Sequence, residues 1–318
     1  MDQVEERNNA VKAFGRFAWF GVGLYILVIL WGAVVRMTGS GAGCRDAWPS
    51  CNDALIPDFQ DFETVIEYVH RVTSGLALLV GGAIFWKSRG LFEREVLIRR
   101  FAKGAFICLV IEALIGAVLV KFHLVKLDAS VARAVVIALH LANTLILVGL
   151  ATACASFCFK SGGDEIRKLS RLSRDAHVML WSLILTGMFG AVTALADTLT
   201  KMNVSSTEAQ LLSADHFLHA VKWLHPMIAI VTSSILVIIA HRTWAEARPG
   251  TTLSKWSMIV LVLVGVQVIL GLANIQFVIP YWLQVAHLFG ADLLWIAVLL
   301  LVTDSLSDSR FWRVAERA

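Results

Sequence analysis

The chain has 318 residues, 58% of them hydrophobic and only 16% charged, with a mean hydropathy of +0.72. A soluble domain of this length carries far more charge, so the composition excludes an ordinary water-soluble enzyme and predicts an all-α integral membrane protein. The formal net charge of +4 does not point to nucleic acid, because the cations are segregated along the chain; no nucleic-acid partner is expected.

Residues 1–16 are polar and no small-residue cleavage site follows the first apolar run, so the start reads as a retained segment rather than a cleaved signal. Eight apolar runs follow, at 17–36, 65–86, 105–122, 131–159, 177–196, 217–240, 256–278 and 282–302. Each approaches the roughly 20 residues that a membrane-spanning helix needs. They are continuous rather than alternating, which argues against strands. No Arg- and Ser-rich transit segment precedes them, which favours a bacterial or archaeal inner (plasma) membrane over an organelle.

Most of the 28 Lys and Arg residues fall in the N-terminal tail, in the loops 87–104, 160–175 and 241–255, and in the C-terminal tail (Arg310, Arg313, Arg317). By the positive-inside rule that side is cytoplasmic, with both termini inside. The remaining cations lie outside: Arg45, Lys121, Lys126 and Lys201 in loops, and Arg36, Arg71, Arg133 and Lys222 at the outer ends of spans one, two, four and six. Those four are either snorkelling anchors or partners for a ligand's carboxylates. The outer loop 37–64 is long and carries Gly39, Gly41, Gly43, Cys44, Trp48, Pro49 and Cys51; such loops are commonly functional. The outer side is oxidising, so a disulfide between its two cysteines is plausible. The loop 197–216 matches it in position but lacks cysteines and aromatics. Cys108, Cys154 and Cys158 read as packing residues.

The chain repeats itself weakly. Gly116 and Gly271 stand 155 positions apart, as do His70 and His225, and Gly32-Ala33-Val34 recurs at Gly190-Ala191-Val192. Four spans per half preserve orientation, so the halves read as parallel repeats. The expected architecture is two pseudo-symmetric four-helix bundles, residues 1–160 and 161–318, joined by a Gly- and charge-rich linker at 160–175.

Four histidines lie inside apolar spans: His70, His140, His225 and His287, in spans two, four, six and eight. At 1.5 Å per residue they sit about 8–14 Å below the outer starts of those spans. An imidazole in hydrocarbon is costly and usually functional. Two such residues in each half suggest two places where porphyrin iron is held from opposite faces, with small residues alongside (Ser74, Gly75, Ala138, Ala142, Ala229, Gly290) leaving room for a flat ring. Propionates would then point outward, toward Arg36, Arg71, Arg133 and Lys222. His123, His177, His216, His219 and His241 read as interfacial. Glu67 shares a helix face with His70; it is either an acid paired with Arg71 or a proton partner at the His70 site. Lys222 occupies the matching place in the second half, which assigns chemistry to the first half and storage or electron transfer to the second. Glu112, in mid-span three with Gln267 as its repeat mate, is placed to hydrogen-bond across the bundle or to serve a proton route; Asp292, five residues after His287, is a second acid inside a span.

At "GAVVRMTGSGAGCRDAWPSC" (32–51), "EYVHR" (67–71), "HLANT" (140–144), "KWLHP" (222–226) and "AHLFGA" (286–291) the chain resembles the heme A synthase family, over nearly its whole length. The Cys-Trp-Pro-Cys loop followed by Glu-x-x-His-Arg is the specific part. The resemblance implies that His225 and His287 ligate a heme b cofactor, that His70 and His140 line the site of the substrate heme O, that Glu67 is essential, and that Cys44 and Cys51 form a disulfide. It implies oxidation of a ring methyl to a formyl group through hydroxylated intermediates. Heme O synthase, terminal oxidase assembly and a membrane electron acceptor or donor are the partners it implies, and a homo-oligomer stays open. One departure is "VKFHLVKLDASVAR" (120–133), a longer and more polar connection than expected. A non-enzymatic b-type cytochrome passing electrons between quinone and a partner explains the four histidines equally well, but not Glu67 or the cysteine loop. A transporter fits the repeats but predicts midplane helix breaks, and Pro226 and Pro280 are too near the outer ends.

Overall fold

The computed structural model describes residues 2–94, 96–160, 174–205, 217–277 and 280–307. The linker cations Arg167, Lys168 and Arg171, His216 and the C-terminal Arg310, Arg313 and Arg317 lie outside these residues. Nine α-helices account for most of what is described: α1 Asp2–Met37, α2 Phe62–Leu91, α3 Leu97–Lys121, α4 Val131–Phe157, α5 Arg174–Ser205, α6 Phe217–Val221, α7 Leu224–Glu246, α8 Thr252–Gln276 and α9 Tyr281–Ser307. Among the described residues no strand is present, only an isolated bridge between Cys51 and Ala54. Eight helices, counting α6 and α7 as one, are long and apolar enough to cross a membrane. Large apolar side chains face outward along them, including Leu27, Leu79, Trp86, Trp181, Ile230 and Ile269. In water such a surface would drive association; in lipid it is the solvent-facing side of a multi-pass membrane protein.

Two segments depart from the sequence expectation. The polar stretch 1–16 does not stay outside the helical body. It has no Gly or Pro before Gly15, and Val11, Phe14 and Ala18 form a stripe of helical spacing. That stripe is buried against Ile84, Phe92, Ile98 and Phe157, so α1 begins some 15 residues earlier than its apolar run. The run 217–240 is not one helix. Pro226 has no N–H to donate to the carbonyl four residues back, and its ring crowds that carbonyl. The chain breaks at Lys222–Trp223 and restarts as α7, and the freed Lys222 carbonyl accepts from Thr193 Oγ1 at 3.2 Å. His225 therefore sits in the first turn of α7, inside the membrane-crossing segment Phe217–Glu246 that α6 and α7 form together.

Helices α1 to α4 pack in a closed ring, each on the next and α4 back on α1; α5, α7, α8 and α9 do the same. The rings meet where α4 lies on α5 and α9, and α1 on α9. Helices in lipid gain little from hydrophobic exclusion, so close approach and polar contacts carry the association. At the seam Gly149 of α4 lets the Trp295 ring come within contact of its backbone, and Trp295 Nε1 donates to the Leu145 carbonyl at 2.8 Å. At the end bearing the N terminus, Lys160 pairs with Asp304 at 2.7 Å, tying the end of α4 to α9. Burial pulls the Lys160 ammonium below its ordinary range, and Asp304 opposes that shift.

Candidate functional site

Each ring of helices carries two histidines at the end marked by the cysteine loop. In the second ring His225 of α7 and His287 of α9 face one another, their ring centroids 6.5 Å apart and their planes nearly perpendicular at 82°. His225 Nδ1 lies 3.1 Å from the Thr186 carbonyl of α5. That contact makes Nδ1 the donor and leaves the Nε2 lone pair free. His287 Nδ1 is buried and has no hydrogen-bond partner among the described residues. Two imidazole–metal bonds of about 2 Å each span much of the observed separation, so the donor set fits a metal held from opposite sides.

Glycines back three of the four imidazoles. A Cβ on Gly190 would stand 3.0 Å from His225 Cε1, one on Gly32 3.1 Å from His70 Cε1, and one on Gly271 3.5 Å from His287 Cε1. These are three of the glycines that mark the internal repeat, and their physical role is now visible: each lets a preceding helix approach an imidazole. The fourth, Gly116, faces open space. The corresponding histidine, His140, rests instead on a side chain one turn earlier, with Nδ1 against the Glu112 carboxylate. His70 lies within electrostatic reach of His140 and Arg71, and its Nδ1 is buried without a hydrogen bond among the described residues.

The loop between α1 and α2 folds over the first ring. It holds a short turn of 3₁₀ helix at Ser40–Ala42, and the Cys44–Cys51 disulfide is almost fully buried at 0% and 1% exposure. Its seat is the start of α2. Thr64 Oγ1 donates to the Gly43 carbonyl at 2.8 Å, and the Cys44 amide donates to Glu67 Oε2 at 2.8 Å. Arg71 donates to Glu67 Oε1 and, through one Nη, to the Ala47 and Ser50 carbonyls at 2.5 Å. Glu67, 4% exposed, thus spends both oxygens on the loop and on Arg71. The 122–130 connection closes onto this loop: Val125 lies against Gly41, Lys126 is 3.5 Å from Glu63, and Lys121 Nζ donates to the Asp46 carbonyl at 2.7 Å.

Gly43 sits against backbone, not flexible side chains. A Cβ there would overlap the Glu63 carbonyl and the Thr64 amide. Gly43→Ala should lift the loop, costing about 1–3 kcal/mol, and speed trypsin cleavage after the surface residue Arg45 while the helices stay folded; an unchanged cleavage rate would show that the loop does not need this contact.

The remaining cations are already engaged by protein. Arg36 crosses to the second ring, donating to the Ala194 carbonyl at 2.5 Å, to Thr198 Oγ1 at 2.6 Å and to Gln284 Oε1 at 3.3 Å. Arg133, 5% exposed, donates to the Lys126 and Asp128 carbonyls, and its Nε has no partner among the described residues. Lys222 lies over the Trp223 ring and within electrostatic reach of Asp197. Sequence reasoning missed the Thr186 carbonyl, which carries no side-chain signal. It placed Glu112 in a hydrogen bond across the bundle, which the contacts to α4 show, but did not name His140 as a neighbour; Glu112 lying one turn before a repeat glycine was the signal.

Among the described residues no cluster of three or more His, Cys, Asp and Glu converges as a metal site; the histidines meet in pairs. The fold and this pairing define a class: a multi-pass helical membrane protein with two pairs of neighbouring histidines toward the end that bears the cysteine loop. Residues 15–299 match a family described as cytochrome oxidase assembly protein, and the chain belongs to that family. It is 37% identical over 293 residues to a Thermus thermophilus protein named protoheme IX farnesyltransferase, covering 91% of this chain and 48% of that one. It is 26% identical over 304 residues to a Staphylococcus epidermidis heme A synthase (91% and 97%) and 25% identical over 304 residues to one from Lysinibacillus sphaericus (90% and 94%). The chain spans about half the length of the Thermus relatives it matches.

Proposed function

We propose that the protein is a heme A synthase of the plasma membrane, an oxidoreductase that converts a ring methyl of heme O to a formyl group. The observation that carries this reading is the pair His225–His287, 6.5 Å apart with one Nδ1 held by a carbonyl, standing opposite a second, dissimilar pair beneath the disulfide loop. Residues 161–318 form the half that holds a heme b cofactor between His225 and His287. Residues 1–160 form the half that receives heme O at His70 and His140. The cofactor supplies electron transfer when bound.

The chain's own residues do the rest. Gly32, Gly190 and Gly271 set the imidazoles at fixed depth. The loop 37–61, held by Glu67 and Arg71, covers the substrate side and excludes water. Glu67 is the carboxylate nearest the loop's underside and the candidate to take up a proton there when Arg71 and Cys44 release it. Arg36 and Lys222 stand at the outer end of the second half, and Arg71 and Arg133 at that of the first; propionates there would meet cations that already hold protein groups. The name of the Thermus relative fits a substrate that bears a farnesyl chain, and a heme O synthase is the natural supplier. The cation distribution puts both termini in the cytoplasm.

Pigment extracted from purified protein and weighed tests the reading. Heme b together with farnesylated O and A forms is expected from the unsubstituted protein, and heme b without the A form from His70→Ala. Heme b alone from both, under conditions where heme O is supplied, would favour a simple b-type cytochrome instead.

A further inference from the structure

Glu112 lies in the middle of α3, its side chain 14% exposed. Three groups of α4 hold it. Oε1 accepts from Asn143 Nδ2 at 2.7 Å and from Thr144 Oγ1 at 2.9 Å, and Oε2 lies against His140 Nδ1. Asn143 is itself fixed, since its Nδ2 also donates to the Cys108 carbonyl at 3.0 Å. A carboxylate gripped this way cannot swing away from the imidazole.

The second half is built differently at the same place. The repeat mate of Glu112 is Gln267, and the position three residues after the histidine is Gly290 where the first half has Asn143. The Gln267 amide fills the space in which a Gly290 Cβ would stand. Its Nε2 has no hydrogen-bond partner among the described residues, and neither has His287 Nδ1. His140 Nδ1 and Glu112 Oε2 meet as an ion-pair contact without hydrogen-bond geometry, so the difference between the halves is the carboxylate itself: one histidine of the first half has it beside Nδ1, its counterpart has none, and His225 rests on a neutral carbonyl.

We propose that Glu112 is a positioning residue for the first-half site: it accepts the His140 Nδ1–H, fixes the tautomer that presents Nε2 to iron, and makes this imidazole a stronger donor than any in the second half. Carboxylates behind metal-bound histidines fix ring orientation and raise ligand basicity. The two sites then differ in the charge behind one ligand, so heme iron in the first half is biased toward the ferric state relative to iron in the second. Asp292, buried at 2% exposure with Oδ2 unpartnered among the described residues, does not supply the missing carboxylate: it follows His287 by five residues, off its helix face.

This inference rests on the assignment of a heme to His70 and His140. Full-length Glu112→Gln, Glu112→Asp and unsubstituted protein, loaded with heme O, are compared by heme content per half, by redox titration and by low-spin ferric EPR. In Glu112→Gln the first-half heme should bind about 10–100-fold more weakly, titrate at a more positive potential and shift its EPR g-values. The second-half heme should be unchanged, which also reports that the variant is folded. Glu112→Asp should restore the signature in part. Unchanged affinity, potential and spectrum in Glu112→Gln overturn the role of Glu112 while leaving the heme assignment standing. Failure of the unsubstituted protein to take up a first-half heme overturns both. Equal disturbance of the two hemes makes Glu112 a general packing residue and also overturns the proposal.

Discussion

His225→Ala should strip the second half of its heme and leave the first half able to bind its own. The imidazole is held on two sides, by the Thr186 carbonyl at Nδ1 and by Gly190 behind Cε1. Only Nε2 is left for a ligand, so the side chain has one remaining use. Disturbing the outer partner of a metal-bound histidine costs about 10–100-fold in affinity; removing the ligand itself should exceed that, and the purified variant should lack one heme equivalent. Gly190→Ala is the finer probe. Its Cβ would press on Cε1 at 3.0 Å and on Nδ1 at 3.2 Å, so the ring must shift by a few tenths of an ångström and heme retention should fall by about tenfold, on the scale of an outer-partner change. His241→Ala, exposed at the opposite end of α7, should retain the full complement. Visible spectra and pyridine hemochrome assays of the three variants read this directly. Full heme content in His225→Ala would remove the second-half site from the reading.

The spans were legible because each is a continuous apolar run and lipid imposes that pattern residue by residue. The four imidazoles were legible because polar groups inside such runs are conspicuous. Other features depend on what a neighbour does. The stripe Val11, Phe14 and Ala18 is diluted by Glu5, Glu6, Arg7 and Asn8, so hydropathy alone places the N-terminal turns outside the fold, whereas the packing against Phe92 and Phe157 extends α1 inward. Pro226 was visible, but whether it kinks a span or restarts it turned on Thr193 being near enough to take the orphaned carbonyl. Arg36 reads as a snorkelling end residue by position alone; its use as a strap to α5 and α9 is a fact of how the rings meet. The glycine offsets were read as a sign of repetition, and their reason, room for an imidazole, needed the third dimension.

The disulfide loop and the acid beneath it should fail together in Glu67→Ala. Glu67 accepts from the Cys44 amide and from Arg71, and Arg71 reaches on to the Ala47 and Ser50 carbonyls, so one carboxylate joins α2 to both ends of the cysteine loop. Removing it leaves a guanidinium that is 13% exposed without its counter-charge. Breaking a buried ion pair from one side costs about 3–5 kcal/mol, and about 3 kcal/mol corresponds to roughly a 100-fold change in an equilibrium. The opened population of the loop should rise by that factor, with Cys44–Cys51 reduced correspondingly faster by a mild water-soluble thiol. Formyl-heme production should stop while the second-half heme stays bound. Glu67→Gln separates anchoring from charge: its amide oxygen still accepts from Cys44, so the loop should open far less, yet the proton acceptor is gone. If Gln restores loop protection but not product, the carboxylate acts on protons as well as on structure. If it restores both, Glu67 is an anchor alone, and the proton acceptor of the reaction must be sought in another residue of the first half.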